Sequence, residues 1–132
     1  MDHMLEEIWI LLEEGNPPSL ERISPNTMSD PQSVAQELTS RGLLELRETQ
    51  LFLTPRGRNR ARDVVRRRRL AERLFTDTFS IEDSEADSQA CKFEHIITPE
   101  LDEKICTFLG HPSTCPHGNP IPPGPCCGKH SR

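Results

Sequence analysis

The chain has 132 residues, of which 33% are hydrophobic, with no Tyr and one Trp. That is little apolar material for one large core, so one or two small domains are expected, with dimer formation to bury more surface. The net charge of −5 says nothing of a partner, and no apolar run is long enough to cross a membrane.

From the N-terminus, Met4, Ile8, Leu11 and Leu12 recur at helical spacing until Gly15 breaks the pattern, which predicts a first amphipathic helix. Its acidic start, "MDHMLEEIWILLEEG", lacks the basic n-region of a signal peptide. A cytoplasmic, reducing location is therefore expected. "NPPS" reads as a loop and "SLERI" as a short second helix limited by Pro25. "SDPQSVAQELTSRG" reads as a third helix, with Asp30 as N-cap, Pro31 in the first position and Gly42 as terminator. In "LLELRETQLFLT", Leu44 and Leu46, then Leu51 and Leu53, alternate with polar residues around "RETQ", the pattern of a two-stranded hairpin. Helices followed by a hairpin give the order of a winged helix-turn-helix. Residues 31–41 would then face the major groove.

Thr54-Pro55 opens a long helix through Thr76. It carries "RGRNRARDVVRRRRLAER", residues 56–73, with nine Arg against Asp63 and Glu72, while the rest of the chain holds 7 basic and 19 acidic residues. Such a run is either a solvated helix face or a phosphate-binding face. Its apolar end is Leu70, Ala71, Leu74 and Phe75. A helix from about Ser84 has Ala86, Ala90, Phe93 and Ile97 on one stripe. Thr98-Pro99 starts another, with Leu101, Ile105, Phe108 and Leu109 expected inward and Gly110 as its end. Beyond that Pro and Gly dominate, and regular structure is not expected. The fold class is mainly α: a winged helix-turn-helix over 1–65, an all-helical domain over 66–112 and a Pro/Gly/Cys-rich tail over 113–132.

All five cysteines lie in the last third. In a reducing compartment they are more often ligands or reactive thiols than disulfides. Cys91, Glu94 and His95 stand at i, i+3 and i+4, so a thiolate, a carboxylate and an imidazole project from one side of a helix. Mixed donors of this kind suit a borderline divalent transition ion. The alternative is a core thiol beside two surface residues.

The segments "LTPRGRNRA", "RLAERLFTD", "ACKFEH", "FLGHP" and "PHGNPIP", in this order, resemble the diphtheria toxin repressor family of metal-dependent bacterial regulators. The resemblance runs from about Met4 to Pro122. It implies a homodimer in which the winged helix binds a DNA operator, expected to be palindromic. A helical second domain would carry two metal sites and the dimer contact, with Fe2+ or Mn2+ as corepressor. Residue by residue, it implies that Cys91, Glu94 and His95 are primary-site ligands. A further ligand comes from the first helix, where His3 takes the matching position and Glu6 follows one turn later. At the ancillary site the family has "RKHRLAER", whereas here "RRRRLAER" puts Arg68 in place of the His and keeps Glu72; Asp87 replaces another His. Arg cannot coordinate a cation, so no normal ancillary site is expected, and Arg68 is expected to pair with Glu72. The sequence stops at Arg132, which reads as a short form lacking the SH3-like domain.

On this reading Pro31, Gln32, Ser33 and Gln36 reach base edges, and Arg47, Arg56, Arg58 and Arg60 meet phosphates. Cys106, Cys115, Cys126 and Cys127 form a second candidate group for a 4Fe–4S cluster or Zn2+; otherwise the tail is reduced, flexible and empty. The expected divergence of adjacent cysteines favours a cluster over one tetrahedral ion. The leading function is a metal-responsive transcription regulator of iron or manganese homeostasis, not an enzyme. The first alternative is an iron–sulfur or thiol redox-sensing regulator on the same scaffold, with the tail as sensor. A thiol enzyme built on Cys126-Cys127, or on Cys115 near His117, is a remote third, since no base, oxyanion donor or pocket can be named.

Overall fold

A computed structural model describes residues 2–23, 30–93 and 98–127. The chain divides into two compact units, Met1–Val64 and Val65–Arg132, with the boundary inside one long helix.

In the first unit, α1 spans Asp2–Glu13. Gly15, at φ 80°, lets the chain turn back, and the Asn16 N–H donates to the Leu11 carbonyl at 2.9 Å. Met4, Leu5 and Ile8 are buried, while Leu12 is exposed, so the core stripe is rotated from the expected one towards Leu5. Residues 19–23 form turns instead of the expected short helix. The preceding Pro17-Pro18 pair favours extended backbone, and it leads the chain along the hairpin edge. The Pro18 carbonyl accepts from Leu51 N–H at 3.1 Å, and the Leu20 N–H donates to Thr49 at 2.9 Å.

Helix α2 is Pro31–Ser40. The Asp30 carboxylate caps it by accepting from the Ser33 N–H at 3.3 Å, and Pro31 occupies the first turn without wasting a donor. Ala35 and Leu38 face inward. Strands β1, Leu44–Arg47, and β2, Gln50–Leu53, pair antiparallel with Leu44 opposite Leu53 and Leu46 opposite Leu51. Leu44 and Leu51 enter the core. Glu48 takes φ 58° in the tight turn.

Helix α3 is Pro55–Arg73, continued by a π-helical turn at Leu74–Thr78. Its cap is Thr54, whose Oγ1 accepts from the Gly57 N–H at 3.0 Å and donates to the Gly42 carbonyl at 2.7 Å. Gly57 lies so close to Leu43 that an added Cβ would sit 1.8 Å from its carbonyl oxygen.

The second unit contains α4, Asp83–Phe93, and α5, Pro99–Phe108, the latter capped by Thr98. Its core joins Leu70, Ala71, Ala90, Ile105, Cys106, Cys115 and Ile121, and Phe75 packs on Phe93 with ring centroids 5.4 Å apart. Ile97 lies outside the described residues. The inward face of α5 differs from the expected one: Leu101 and Phe108 are exposed, and Asp102, Ile105 and Cys106 are buried. Asp102 lies 3.4 Å from the Arg67 guanidinium, so the buried face of α5 carries an ion pair that a count of apolar residues does not show. Among the described residues no helix is long and apolar enough to cross a membrane.

Candidate metal centres and nucleic-acid interface

The Arg run serves two purposes. Arg56, Arg58, Arg60 and Arg62 are exposed in the first unit. Arg58 lies over the Trp9 ring at 5.3 Å, and Arg60 pairs with Asp2 at 3.1 Å. On the wing, Arg47 is exposed, rests 5.1 Å over Phe52 and reaches Glu45 at 3.5 Å. At the start of α2, Gln32, Ser33 and Gln36 are exposed and Pro31 is half-buried.

Further along α3 the arginines turn inward. Arg66 and Arg69 are only 4% and 5% exposed, so neither a solvated face nor a phosphate-binding face describes them. They fasten the tail. Arg69 Nη1 donates to the Pro120 carbonyl at 2.6 Å, Arg73 Nε donates to the Thr114 carbonyl at 2.8 Å, and Arg66 Nη2 reaches Cys126 Sγ at 3.3 Å. Positions 66, 69 and 73 share one face by helical spacing. The described tail is thus a packed loop with its own reversal: Cys115 N–H donates to Asn119 at 2.8 Å and Ile121 N–H to Ser113 at 2.9 Å.

This reversal splits the expected four-cysteine group. Cys115 is carried away from the other three, and His111 takes its place. Gly110 and His111 follow α5 with φ of 80° and 56°, and the His111 N–H returns to the Cys106 carbonyl at 2.8 Å. The turn places His111 Nδ1 3.4 Å from Cys106 Sγ and 3.6 Å from Cys127 Sγ. Cys106 and Cys127 are 3.5 Å apart and Cys126 and Cys127 are 3.9 Å apart. The adjacent cysteines therefore converge, contrary to the sequence expectation, because Cys127 enters a turn whose N–H donates to Gly124 at 2.9 Å. The Cys106-x4-His111 spacing across a glycine was the signal that could have revealed this donor.

Electrostatics within the group are polarised. Burial, then hydrogen bonds and charge from Cys127 and Cys126, push the Cys106 thiol up to about 12. Burial would also raise Cys127, but hydrogen bonds with the Gly124 backbone, His111, Cys106 and Cys126 outweigh it and bring that thiol down to about 6. Burial works against the Arg66 charge, yet the neighbouring Cys106, Cys127, Cys126 and Asp102 raise its pKa further.

Cys115 belongs to a second donor group with Glu72 and His117, in the region where the family pattern places its ancillary site. Glu72 is 5% exposed. Its Oε2 lies 3.9 Å from both Arg68 Nε and His117 Nδ1. Local pattern does not join Cys115 and His117 to Glu72, since the connection depends on the tail folding back over α3.

Of the expected primary ligands, Glu94 and His95 lie outside the described residues. Cys91 is in α4, but its side chain is not among those described, nor is that of Asp87. In α1, His3 is half-buried and Glu6 is buried.

A winged-helix unit is followed by a helical unit rich in Cys, His and carboxylate donors, two groups of which could hold a metal ion. Residues 54–123 match the family described as iron dependent repressor, metal binding and dimerisation domain. The chain belongs to that family. It is 35% identical over 122 residues to the iron-dependent repressor IdeR of Mycobacterium tuberculosis, covering 89% of this chain and 53% of that protein. It is 34% identical to the diphtheria toxin repressor of Corynebacterium diphtheriae, covering 89% and 54%. The chain thus spans about half the length of these relatives. Among solved structures, a manganese-dependent transcriptional repressor in complex with manganese matches with a TM-score of 0.79 and 29% identity, covering 94% of this chain and 58% of that one.

Proposed function

We propose that the protein is a metal-responsive, DNA-binding transcriptional repressor that acts as a homodimer, with Fe2+ or Mn2+ as its corepressor. The observation that carries this reading is the match of residues 54–123 to a metal-binding and dimerisation domain, preceded by a winged-helix unit whose α2 start is exposed. In this reading Pro31, Gln32, Ser33 and Gln36 approach base edges, where Gln pairs bidentately with adenine. Arg47, Arg56, Arg58 and Arg60 lie along phosphates and supply affinity independent of sequence. The half-sites form a palindrome because a two-fold dimer reads the same sequence twice.

The metal is held by Cys91, Glu94 and His95, with His3 and Glu6 as donors from α1. By linkage, the ion favours the DNA-binding state in proportion to its tighter binding there. The test is footprinting of genomic fragments under anaerobic conditions with and without Fe2+ or Mn2+. A palindromic protected site that appears with metal and is lost in Glu94→Gln and His95→Ala, at unchanged far-UV circular dichroism, is the expected result. Unchanged metal dependence in both variants would place the responsive site elsewhere.

A further inference from the structure

The group at the end of α5 has a geometry that the metal-responsive reading above does not use. Cys106 Sγ, His111 Nδ1, Cys126 Sγ and Cys127 Sγ all lie within 4.8 Å of one another. The described separations are 3.4 and 3.6 Å for sulfur to nitrogen and 3.5 and 3.9 Å for sulfur to sulfur. Tetrahedral Zn2+, with Zn–S near 2.3 Å and Zn–N near 2.0–2.1 Å, requires ligand edges of about 3.6 Å for S to N and about 3.8 Å for S to S. Four of the six edges of the donor set therefore match one tetrahedral ion to within a few tenths of an ångström, and the other two, both from Cys126, are no longer than 4.8 Å. The sulfurs are far too distant from one another for a bond of about 2.05 Å, and all are free thiols.

We propose that Cys106, His111, Cys126 and Cys127 form a closed structural Zn2+ site that clamps the C-terminal tail to α5 and α3. Four protein donors leave no open position, which is the pattern of a structural rather than a catalytic site. Three thiolates and one neutral imidazole around Zn2+ carry a net charge of −1. Arg66 stands ready to neutralise it: its Nη2 donates towards Cys126 Sγ at 3.3 Å, and it is only 4% exposed. A hydrogen bond from a buried cation to a ligating thiolate orients the ligand and offsets the charge of the site. The tail also passes close to Arg66 at Gly124, where a side chain would displace the guanidinium. A Cβ on Gly124 would come within 2.5 Å of the Arg66 guanidinium carbon, in the segment Pro122-Pro123-Gly124-Pro125 that leads into the two cysteines. An iron–sulfur cluster would spread its thiolates over separate irons, whereas these donors converge on a single point. Cys115, which a four-cysteine cluster would need, groups instead with the donor atoms of Glu72 and His117.

The experiment is a Co2+ titration of the full chain, reduced and anaerobic, in a Cys91→Ser/Glu94→Gln/His95→Ala background that removes the three primary donors outside α1. One equivalent of Co2+ should give the intense visible bands of a tetrahedral thiolate complex, and Zn2+ should displace it. The bands should vanish in Cys127→Ser and Cys106→Ser and persist in Cys115→Ser. His111→Cys should keep a tetrahedral spectrum, shifted by the fourth thiolate, whereas His111→Ala should weaken binding. Arg66→Gln, which alters a positioning residue, should lower affinity roughly 10- to 100-fold while leaving the spectrum tetrahedral. Far-UV circular dichroism separates ligand loss from unfolding, and zinc content of the protein as purified gives an independent measure, one equivalent above the same protein carrying Cys127→Ser. The proposal fails if reduced protein gives no tetrahedral thiolate bands, if the bands survive Cys127→Ser in folded protein, or if purified protein carries acid-labile sulfide bound through these cysteines.

Discussion

Replacing Gly57 by Ala sets two effects of opposite sign against each other. Gly57 lies in the first turns of α3, where helix propensity alone favours Ala by about 1 kcal/mol. The added Cβ, however, would sit 1.8 Å from the Leu43 carbonyl oxygen and 2.8 Å from its carbonyl carbon. Reaching even 3.0 Å from that oxygen requires a backbone shift of at least 1.2 Å. Leu43 cannot yield easily, because its N–H donates to Leu38 at 3.0 Å and its carbonyl accepts from Thr54 at 3.2 Å. Overpacking of this kind costs about 1–3 kcal/mol, and weakening the Thr54 bond adds about 1 kcal/mol. The net expectation is a loss of about 2 kcal/mol, which lowers the melting temperature of a unit this size by roughly 10 °C. Trp9, the only tryptophan, is in α1 of the same unit, so its fluorescence follows the relevant transition. Asn59→Ala, at an exposed position of α3, supplies the control, with a gain of about 0.5 kcal/mol from propensity alone. A Gly57→Ala protein melting at or above the parent temperature would refute the close approach.

In metal-stripped protein at pH 7, iodoacetamide should modify Cys127 well ahead of Cys106. The first is a thiolate above about pH 6, while the second stays protonated until pH nears 12; labelling of Cys127 should fall as pH drops through 6, and equal rates by peptide mass spectrometry would contradict this polarisation. Arg69→Met should remove the 2.6 Å donor from the Pro120 carbonyl at a cost of about 1 kcal/mol. Hydrogen exchange should then quicken at the amides of Cys115 and Ile121, and unchanged protection would show that the arginine does not hold the tail. Gln36→Ala should relax base preference at one position, whereas Arg58→Ala should weaken binding to all sequences and reduce the salt slope by about one phosphate's worth. Anisotropy titrations at several salt concentrations distinguish the two outcomes.

Much of the fold was legible because its signals are local. Asp30-Pro31 and Thr98-Pro99 place a side-chain acceptor and a residue lacking an N–H where a helix start needs them, and both helices begin there. Alternation over 44–53 predicts the hairpin, since one face must enter the core, and the structure pairs Leu44 with Leu53 and Leu46 with Leu51. Local periodicity could not fix the rotation of α5. Leu101 and Phe108 resemble core residues by type, but the ion pair between Arg67 and Asp102 joins groups 35 positions apart. The same limit hid the helix that does not form at 19–23, whose backbone partners lie on the hairpin.

The order of the capped helices and the hairpin, the family pattern and the residue types able to bind metal follow from caps, periodicity and motif spacing, which act over a few residues. How those donors are grouped depends on contacts between distant segments. The left-handed pair Gly110-His111 brings an imidazole back to Cys106, and the reversal at 113–121 carries Cys115 to Glu72. The tertiary structure also decided that one Arg run is exposed at one end and buried at the other. A helix face is polar or interior according to what packs on it, and here the tail packs on Arg66, Arg69 and Arg73 through contacts 41–60 residues apart.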